Sequence, residues 1–255
     1  MRRVSVRVRG AHATVEHDGA LDEVAVEEPL EIRVEGEPVA VTMRTPGHDE
    51  ELAIGFLHGE GLVDGLVEAG PPADLAANVV DVRGAVRRPA ARRFYTTSSC
   101  GVCGKGALDE VRVHAPALPA GPIVARALLA SLPARLRQPE FDRTGGMHAT
   151  GLFDASGELV CVREDVGRHN AMDKVIGRAL LDRALPLHDR LLCVSGRLSF
   201  ELVQKAAVAG APVLVGVGAP TSLAVALAEE VGMTLGGFAR EGRINIYAGA
   251  ARVGG

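Results

Sequence analysis

The chain has no tryptophan, and only six phenylalanines and two tyrosines in 255 residues. Proteins that read single-stranded nucleic acid stack its bases on aromatic rings, so that class is not expected here. Lysine is almost missing: Lys105, Lys174 and Lys205 stand beside 25 arginines. The formal net charge is −4, which argues against a broad phosphate-tracking face and so against nucleic acid as a partner. No apolar run approaches the roughly 20 residues of a membrane span. The opening MRRVSVRVRG alternates valine with arginine and has no apolar signal core. A cytoplasmic chain without membrane contact is the expectation. Cysteine is sparse too: Cys100, Cys103, Cys161 and Cys193 are too few for a disulfide scaffold.

What remains is an ordinary globular composition, 47% hydrophobic and 24% charged. The length suits one large domain or two small ones, with a real core. The first hundred residues read as strands with one helix. VSVRVRG and EIRVEGEPVAVTMRT alternate at period two, and Glu35-Gly36 offers a turn. DEELAIGFLHGEGL reads as a helix with three acids at its start, where the dipole favours them, and Gly59 and Gly61 at its end. Short strands are expected near 78–83 and 92–97.

The segment TTSSCGVCGKGA and the Pro/Gly/Ala stretch 115–122 then separate two halves. The second half is more regular: helix 123–137, two strands in HATGLFDASGELVCVRED turning at Ser156-Gly157, helix 167–184, then strands and helices alternating to a last strand at RINIY. This order, α-β-β-α-β-α-β-α-β-β, implies a partly parallel sheet covered on both faces. The expected fold is α/β in two domains. A small N-terminal α+β domain spans 1–97, a Cys/Gly-rich loop and linker spans 98–122, and a cytidine-deaminase-like α/β domain with a mixed sheet spans 123–255.

Cys100-x-x-Cys103 is the one close cysteine pair. A structural zinc site needs two further ligands, but no second C-x-x-C exists; Cys161 and Cys193 sit inside apolar strands and read as core. No structural metal is expected. Glycine follows each cysteine, which suits a loop better than a thioredoxin-like helix start. Lys105 nearby favours the thiolate, the nucleophilic form. A thiolate of this kind accepts sulfur as a persulfide and passes it on; the second cysteine can resolve or shield it.

The second half repeats one device three times. REDVGRHNAMDK starts a helix, with Asp165 as candidate N-cap and Gly167, Arg168 and His169 around free N–H groups. SGRLSFE offers Ser195, Gly196, Arg197 and Ser199 at the next helix start. GAPTSLA offers Thr221 or Ser222 as N-cap at the third. Three such starts beside the strand ends of one sheet suit a ligand bearing several phosphates. TGGMHATGL adds His148, and FAREGRINIY joins two strands through a turn carrying Arg240 and Arg243. The zinc deaminases of this element order carry H-x-E or C-x-E and P-C-x-x-C at the second and third helix starts. Here DVGRHNA and SGRLS stand there, without cysteine or the general-acid glutamate, so the scaffold is expected without its metal chemistry.

SCGVCGK, TGGMHATGLFD, REDVGRHNAMDKVIG, SGRLSFELVQKAAVAGAPVLV, APTSLAVALAEE and TLGGFAREGRINIY, in that order, resemble the FdhD/NarQ family of formate dehydrogenase accessory sulfurtransferases, from about residue 30 to 248. The resemblance implies a persulfide carrier that takes sulfur from a cysteine desulfurase. It implies binding of the bis(molybdopterin guanine dinucleotide) molybdenum cofactor as substrate, which is sulfurated before insertion into formate dehydrogenase. It places the persulfide on Cys100, matches Cys103 to the family's second cysteine, and puts a cofactor-binding segment on Phe238, Ala239, Arg240, Glu241, Gly242 and Arg243. It also implies a cytoplasmic homodimer. A cofactor-binding chaperone without sulfur chemistry is the alternative. Two departures from the family's habit, Gly218 for serine and Ala248-Gly249 where threonine is common, are expected beside the ligand site.

Overall fold

The computed structural model describes residues 7–87, 94–95 and 117–255. Cys100, Cys103 and Lys105, most of the expected linker and most of the strand expected at 92–97 lie outside these residues. The fold is mixed α/β, as expected, and is built on two larger sheets.

The N-terminal part begins with a three-stranded antiparallel sheet, β1 (Arg7–Arg9), β2 (His12–His17) and β3 (Ala20–Ala25). β4 (Glu28–Val34) and β5 (Glu37–Arg44) then form the antiparallel centre of a five-stranded sheet, completed by β6 (Val63–Gly70), β7 (Val79–Val86) and β8 (Phe94–Tyr95) in the order β6-β7-β4-β5-β8. Helix α1 (Asp49–Gly59) crosses from β5 to β6 and buries Leu52, Ile54 and Leu57 against Leu30, Ile32, Val34 and Val82. Asp18-Gly19, Glu35-Gly36 and Glu241-Gly242 each carry two successive positive φ angles, the geometry of two-residue hairpin turns that match strand twist. Glu35-Gly36 is the expected turn; Asp18-Gly19 is one not expected from the sequence. There the flanking strands HATVEH and ALDEVA are too polar to stand out.

In the second half, the expected helix 123–137 splits. β9 (Val124–Ala125) pairs with β16 (Val253–Gly254), and α2 (Arg126–Arg135) follows. A short helix not expected from the sequence, α3 (Pro139–Thr144), starts at a proline that fits the first turn. The main sheet comprises β10 (His148–Phe153), β11 (Leu159–Asp165), β12 (Leu191–Val194), β13 (Val213–Gly216), β14 (Thr234–Arg240) and β15 (Arg243–Ala248), ordered β11-β10-β12-β13-β14-β15. Only the β12-β13 and β13-β14 pairs are parallel. The crossover helices α4 (Arg168–Leu181), α5 (Phe200–Val208) and α6 (Ser222–Glu230) follow β11, β12 and β13. Apart from α3 and the short β9–β16 pair, this is the element order read from the sequence, and the mixed sheet agrees with the cytidine-deaminase-like expectation.

The core follows from the period of the strands. In β12, Leu192 and Val194 face the cluster with Met172, Ile176, Leu202 and Val203, while Leu191 and Cys193 face Leu129, Leu132 and Phe153 under α2. Both faces are covered, so the four residues of β12 are all buried. Cys193 is fully buried as expected, and its thiol is pushed far up by burial alone. Cys161 is only half-buried.

The two sheets are joined by helices packed backbone to backbone. A Cβ at Gly55 of α1 would stand 1.8 Å from the carbonyl oxygen of Asp173, and one at Gly177 of α4 would stand 1.8 Å from that of Glu51. Polar groups buried at this seam are paired. Arg163 donates to both oxygens of Glu51 at 2.6 and 2.8 Å. Lys205 reaches Asp173 at 2.8 and 3.0 Å, with its Nζ 5.5 Å from the centre of the Phe56 ring. Among the described residues, no helix is long and apolar enough to cross a membrane.

Candidate functional site

Strand directions gather the candidate residues on one edge of the main sheet. The first residue of β10, His148, lies opposite the last of β11, Asp165. β12 and β13 end at the same edge, and β14 leaves it at Gly237, opposite Asn245. The turns into α4, α5 and α6 therefore emerge side by side, the placement in which open α/β sheets hold ligands.

Backbone hydrogen bonds weld these turns into a rim. Gly218 N–H donates to the Gly196 carbonyl at 3.0 Å, Thr221 N–H to that of Leu198 at 3.0 Å, and Phe238 N–H to that of Gly218 at 3.1 Å. Ser195 is locked to β10: its N–H donates to the Ala149 carbonyl and its hydroxyl oxygen accepts the Ala149 N–H, both at 2.9 Å. Gly196 leaves room for the imidazole of His148, whose Nδ1 would be 3.4 Å from a Cβ there.

His148, Arg168, His169 and Arg197 are the basic groups of the rim. His169 Nε2 donates to Glu201 at 2.8 Å and lies 3.2 Å from the Ser199 hydroxyl. This hydrogen bond holds the Glu201 carboxyl below its ordinary range. The other three have no such partner. Among the described residues, nothing accepts a hydrogen bond from Arg168, Arg197 or the His148 ring, and the Arg168 Nε is itself buried without a partner. Elsewhere Arg33, Arg44, Arg83, Arg163 and Arg178 all hold carboxylates. A buried donor left unpaired costs about 1–3 kcal/mol, which singles out the Arg168 Nε; Arg197 is exposed to solvent. Burial, followed by the charges of Arg168, His169 and Arg197, holds His148 below its ordinary value.

Other candidates serve the scaffold. Thr221 caps α6 as expected, its hydroxyl accepting the Ala224 N–H at 3.3 Å, and Ser222 is exposed beside it. Asp165 is not the N-cap of α4; Gly167 occupies that position. Gly167 N–H turns back to Asp165 at 2.8 Å and is not free for a ligand. Ala239 is fully buried in the core under α2, so its side chain faces away from the rim. Phe238 is exposed, with φ 52, where the β14 ladder is interrupted. Arg240, Glu241, Gly242 and Arg243 form the exposed hairpin tip, with Arg243 3.6 Å from Glu241. No ion pair or hydrogen bond among the described residues joins this tip to Arg168 or Arg197. Gly218 does lie on the rim. Ala248 and Gly249 do not: Ala248 pairs with Leu235 at the opposite end of the hairpin, and Thr234 donates to the Gly249 carbonyl at 2.8 Å.

The sequence reading missed what holds the α4 turn. Asp165 is fully buried and accepts from Lys174 at 2.7 Å, Thr45 N–H at 3.1 Å, Gly167 N–H at 2.8 Å and Asn170 at 3.0 Å. Lys174 also donates to the Thr45 carbonyl at 2.9 Å, and the Thr45 hydroxyl accepts the Val166 N–H at 3.2 Å. The end of the N-terminal sheet thus fixes the turn that presents Arg168 and His169. The available signal was a polar stripe at helical spacing, Asn170, Asp173, Lys174 and Gly177, which reads as a solvated face unless α1 is known to cover it. A cavity of about 370 Å³ adjoins this network, lined by Thr45, His48, Arg137, Met147, Glu164 and Lys174 among others.

Comparison with known proteins gives a consistent result. The FdhD/NarQ family pattern matches residues 25–254. The chain is 53% identical to "Sulfur carrier protein FdhD" of Streptomyces coelicolor, over 99% of this chain and 95% of that one. It is 51% identical to the protein of the same name from Mycolicibacterium paratuberculosis, over 99% and 100%. A crystal structure of a Desulfotalea psychrophila protein, proposed as a formate dehydrogenase accessory protein, superposes with a TM-score of 0.76 at 28% identity over 98% of each chain.

Proposed function

Because the chain belongs to the FdhD/NarQ family, we propose that it is a sulfur carrier required for formate dehydrogenase activity, acting on the bis(molybdopterin guanine dinucleotide) molybdenum cofactor as its bound substrate. The Cys100 thiolate attacks the outer sulfur of a persulfide on a cysteine desulfurase. The S–S bond of the donor breaks, its cysteine leaves as thiolate, and Cys100 holds the persulfide. The carrier then meets the cofactor before its insertion into formate dehydrogenase. Cys103 resolves or shields the persulfide. The protein works in the cytoplasm as a homodimer.

The observation that carries the substrate half of this reading is the rim of unpaired donors. The guanine nucleotide ends of the cofactor are joined by pyrophosphates, whose oxygens would satisfy Arg168 and Arg197 with charge-assisted hydrogen bonds. The exposed Phe238, tied to the rim through Gly218, adds an apolar ring, and Arg240 and Arg243 at the hairpin tip add two cations. In the homodimer, each protomer would hold one nucleotide end.

The test is complementation. Cys100→Ala is expected to abolish formate dehydrogenase activity in cells lacking the wild-type gene while the purified variant still binds GDP. Full activity with Cys100→Ala would sink the sulfur-transfer reading.

A further inference from the structure

We infer that His148 takes up a proton from solvent when a pyrophosphate-bearing nucleotide seats against Arg168 and Arg197. This rests on the substrate reading above and goes beyond it by assigning one residue the proton that accompanies binding.

The geometry singles out His148. It is half-buried, and its ring makes no hydrogen bond to any described residue. Its Nδ1 would stand 3.4 Å from a Cβ at Gly196, which sets the ring beside Arg197 in the turn after β12, and its strand partner Asp165 leads into the start of α4, from which the charges of Arg168 and His169 bear on it. One acid, Asp165 of the neighbouring strand, also faces it. Asp165 is fully buried and already held by Lys174 at 2.7 Å and by two backbone N–H groups, so its charge is spent on the α4 turn. His148 in the free protein therefore sits in an excess of positive charge with partial burial, and both favour the neutral ring.

A pyrophosphate reverses the balance. Its negative charge offsets Arg168 and Arg197, and an oxygen within reach of the ring accepts from the protonated nitrogen. His169 is placed differently, since its Nε2 already donates to Glu201 in the free protein. Below its ordinary value of about 6.5, an imidazole carries a proton in less than about a quarter of molecules at pH 7.0. Stabilised by a bound anion, it fills most of that deficit. By linkage, nucleotide affinity then falls as pH rises, by at most about tenfold per unit, between the free and bound values of His148.

The experiment is calorimetric titration of the full chain with GDP at pH 7.0, in buffers that differ in ionisation enthalpy. The expected result is a binding enthalpy that varies with the buffer, corresponding to uptake of about 0.5 proton or more per GDP, and loss of that dependence in His148→Gln. His148→Asn serves as second variant should the first fail to fold, and the wild-type titration stands without either. GDP binding with no buffer dependence, or with proton uptake that persists in His148→Gln, would overturn the inference and leave the substrate reading intact. No binding of GDP by the wild type would overturn both.

Discussion

Replacing Gly55 with alanine probes the seam that ties the N-terminal sheet to the candidate site. The new Cβ would stand 1.8 Å from the Asp173 oxygen, 2.6 Å from its carbon and 2.9 Å from the Gly177 nitrogen. Ordinary contact begins at 3.4 Å, so α1 and α4 must part by about 1.6 Å. All three atoms are backbone, so no rotamer change relieves the clash. Overpacking of this kind costs about 1–3 kcal/mol, and alanine returns up to about 1 kcal/mol through its higher helix propensity. The separation also strains the Glu51–Arg163 and Asp173–Lys205 pairs that span the same seam. With that strain offsetting the helix gain, the net expectation is a loss of about 1–3 kcal/mol, a sizeable part of the roughly 5–15 kcal/mol that stabilises a domain. Urea unfolding followed by circular dichroism measures it. Gly177→Ala opens the same seam from the other side, so the double variant should cost less than the two single ones together. A Gly55→Ala protein within about 0.5 kcal/mol of wild type, or strict additivity, would refute the seam as described.

Other expectations concern the paired and unpaired groups. Lys174→Met leaves Asp165 buried without its cation; such broken pairs cost about 3–5 kcal/mol, read as a lowered urea midpoint. His48, His58 and His148 all lie below the ordinary histidine value, each through burial first. Their folded forms bind fewer protons than the unfolded chain near pH 6.5. Their contribution to stability is therefore present above about pH 6.5 and lost as the pH falls through the folded values. Urea midpoints measured from pH 7.5 to 5.5 should drop, and His58→Gln should flatten the decline. At Gly218 a serine Cβ would press on the Arg197 backbone at 2.9–3.0 Å, so Gly218→Ser should displace Arg197, change GDP affinity and lower the urea midpoint.

Much of this architecture was legible because the second half obeys simple rules. Strands such as Leu191–Val194 and Val213–Gly216 are buried on both faces and read as short apolar runs, and the helices between them begin at Ser, Thr, Gly or Arg clusters. Those clusters put the three helix starts at Gly167–His169, Ser195–Arg197 and Thr221–Ser222 beside the strand ends of one sheet; that His148 shares this edge is a finding of the structure. Periodicity failed where burial depends on a distant partner. Asp165 looked like a helix cap because acids commonly serve there; its true surroundings come from Thr45, 120 residues earlier in the chain. Nothing local announces that Gly177 admits α1 against Asp173 and Lys174, which are buried. The polar hairpin His12–Ala25 was missed although Asp18-Gly19 marks its turn. Ala248-Gly249 seemed close to the site because Arg243 is near in sequence, yet a strand of six residues carries them to the other end of the sheet.

A persulfide carrier must hold sulfur on Cys100. The purified protein, incubated with a cysteine desulfurase and cysteine and then digested for mass spectrometry, should carry an added mass of about 32 Da on the Cys100 peptide, removable by dithiothreitol and absent in Cys100→Ala. No adduct, or an adduct confined to Cys161 or Cys193, would contradict the reading of this chain as a persulfide carrier.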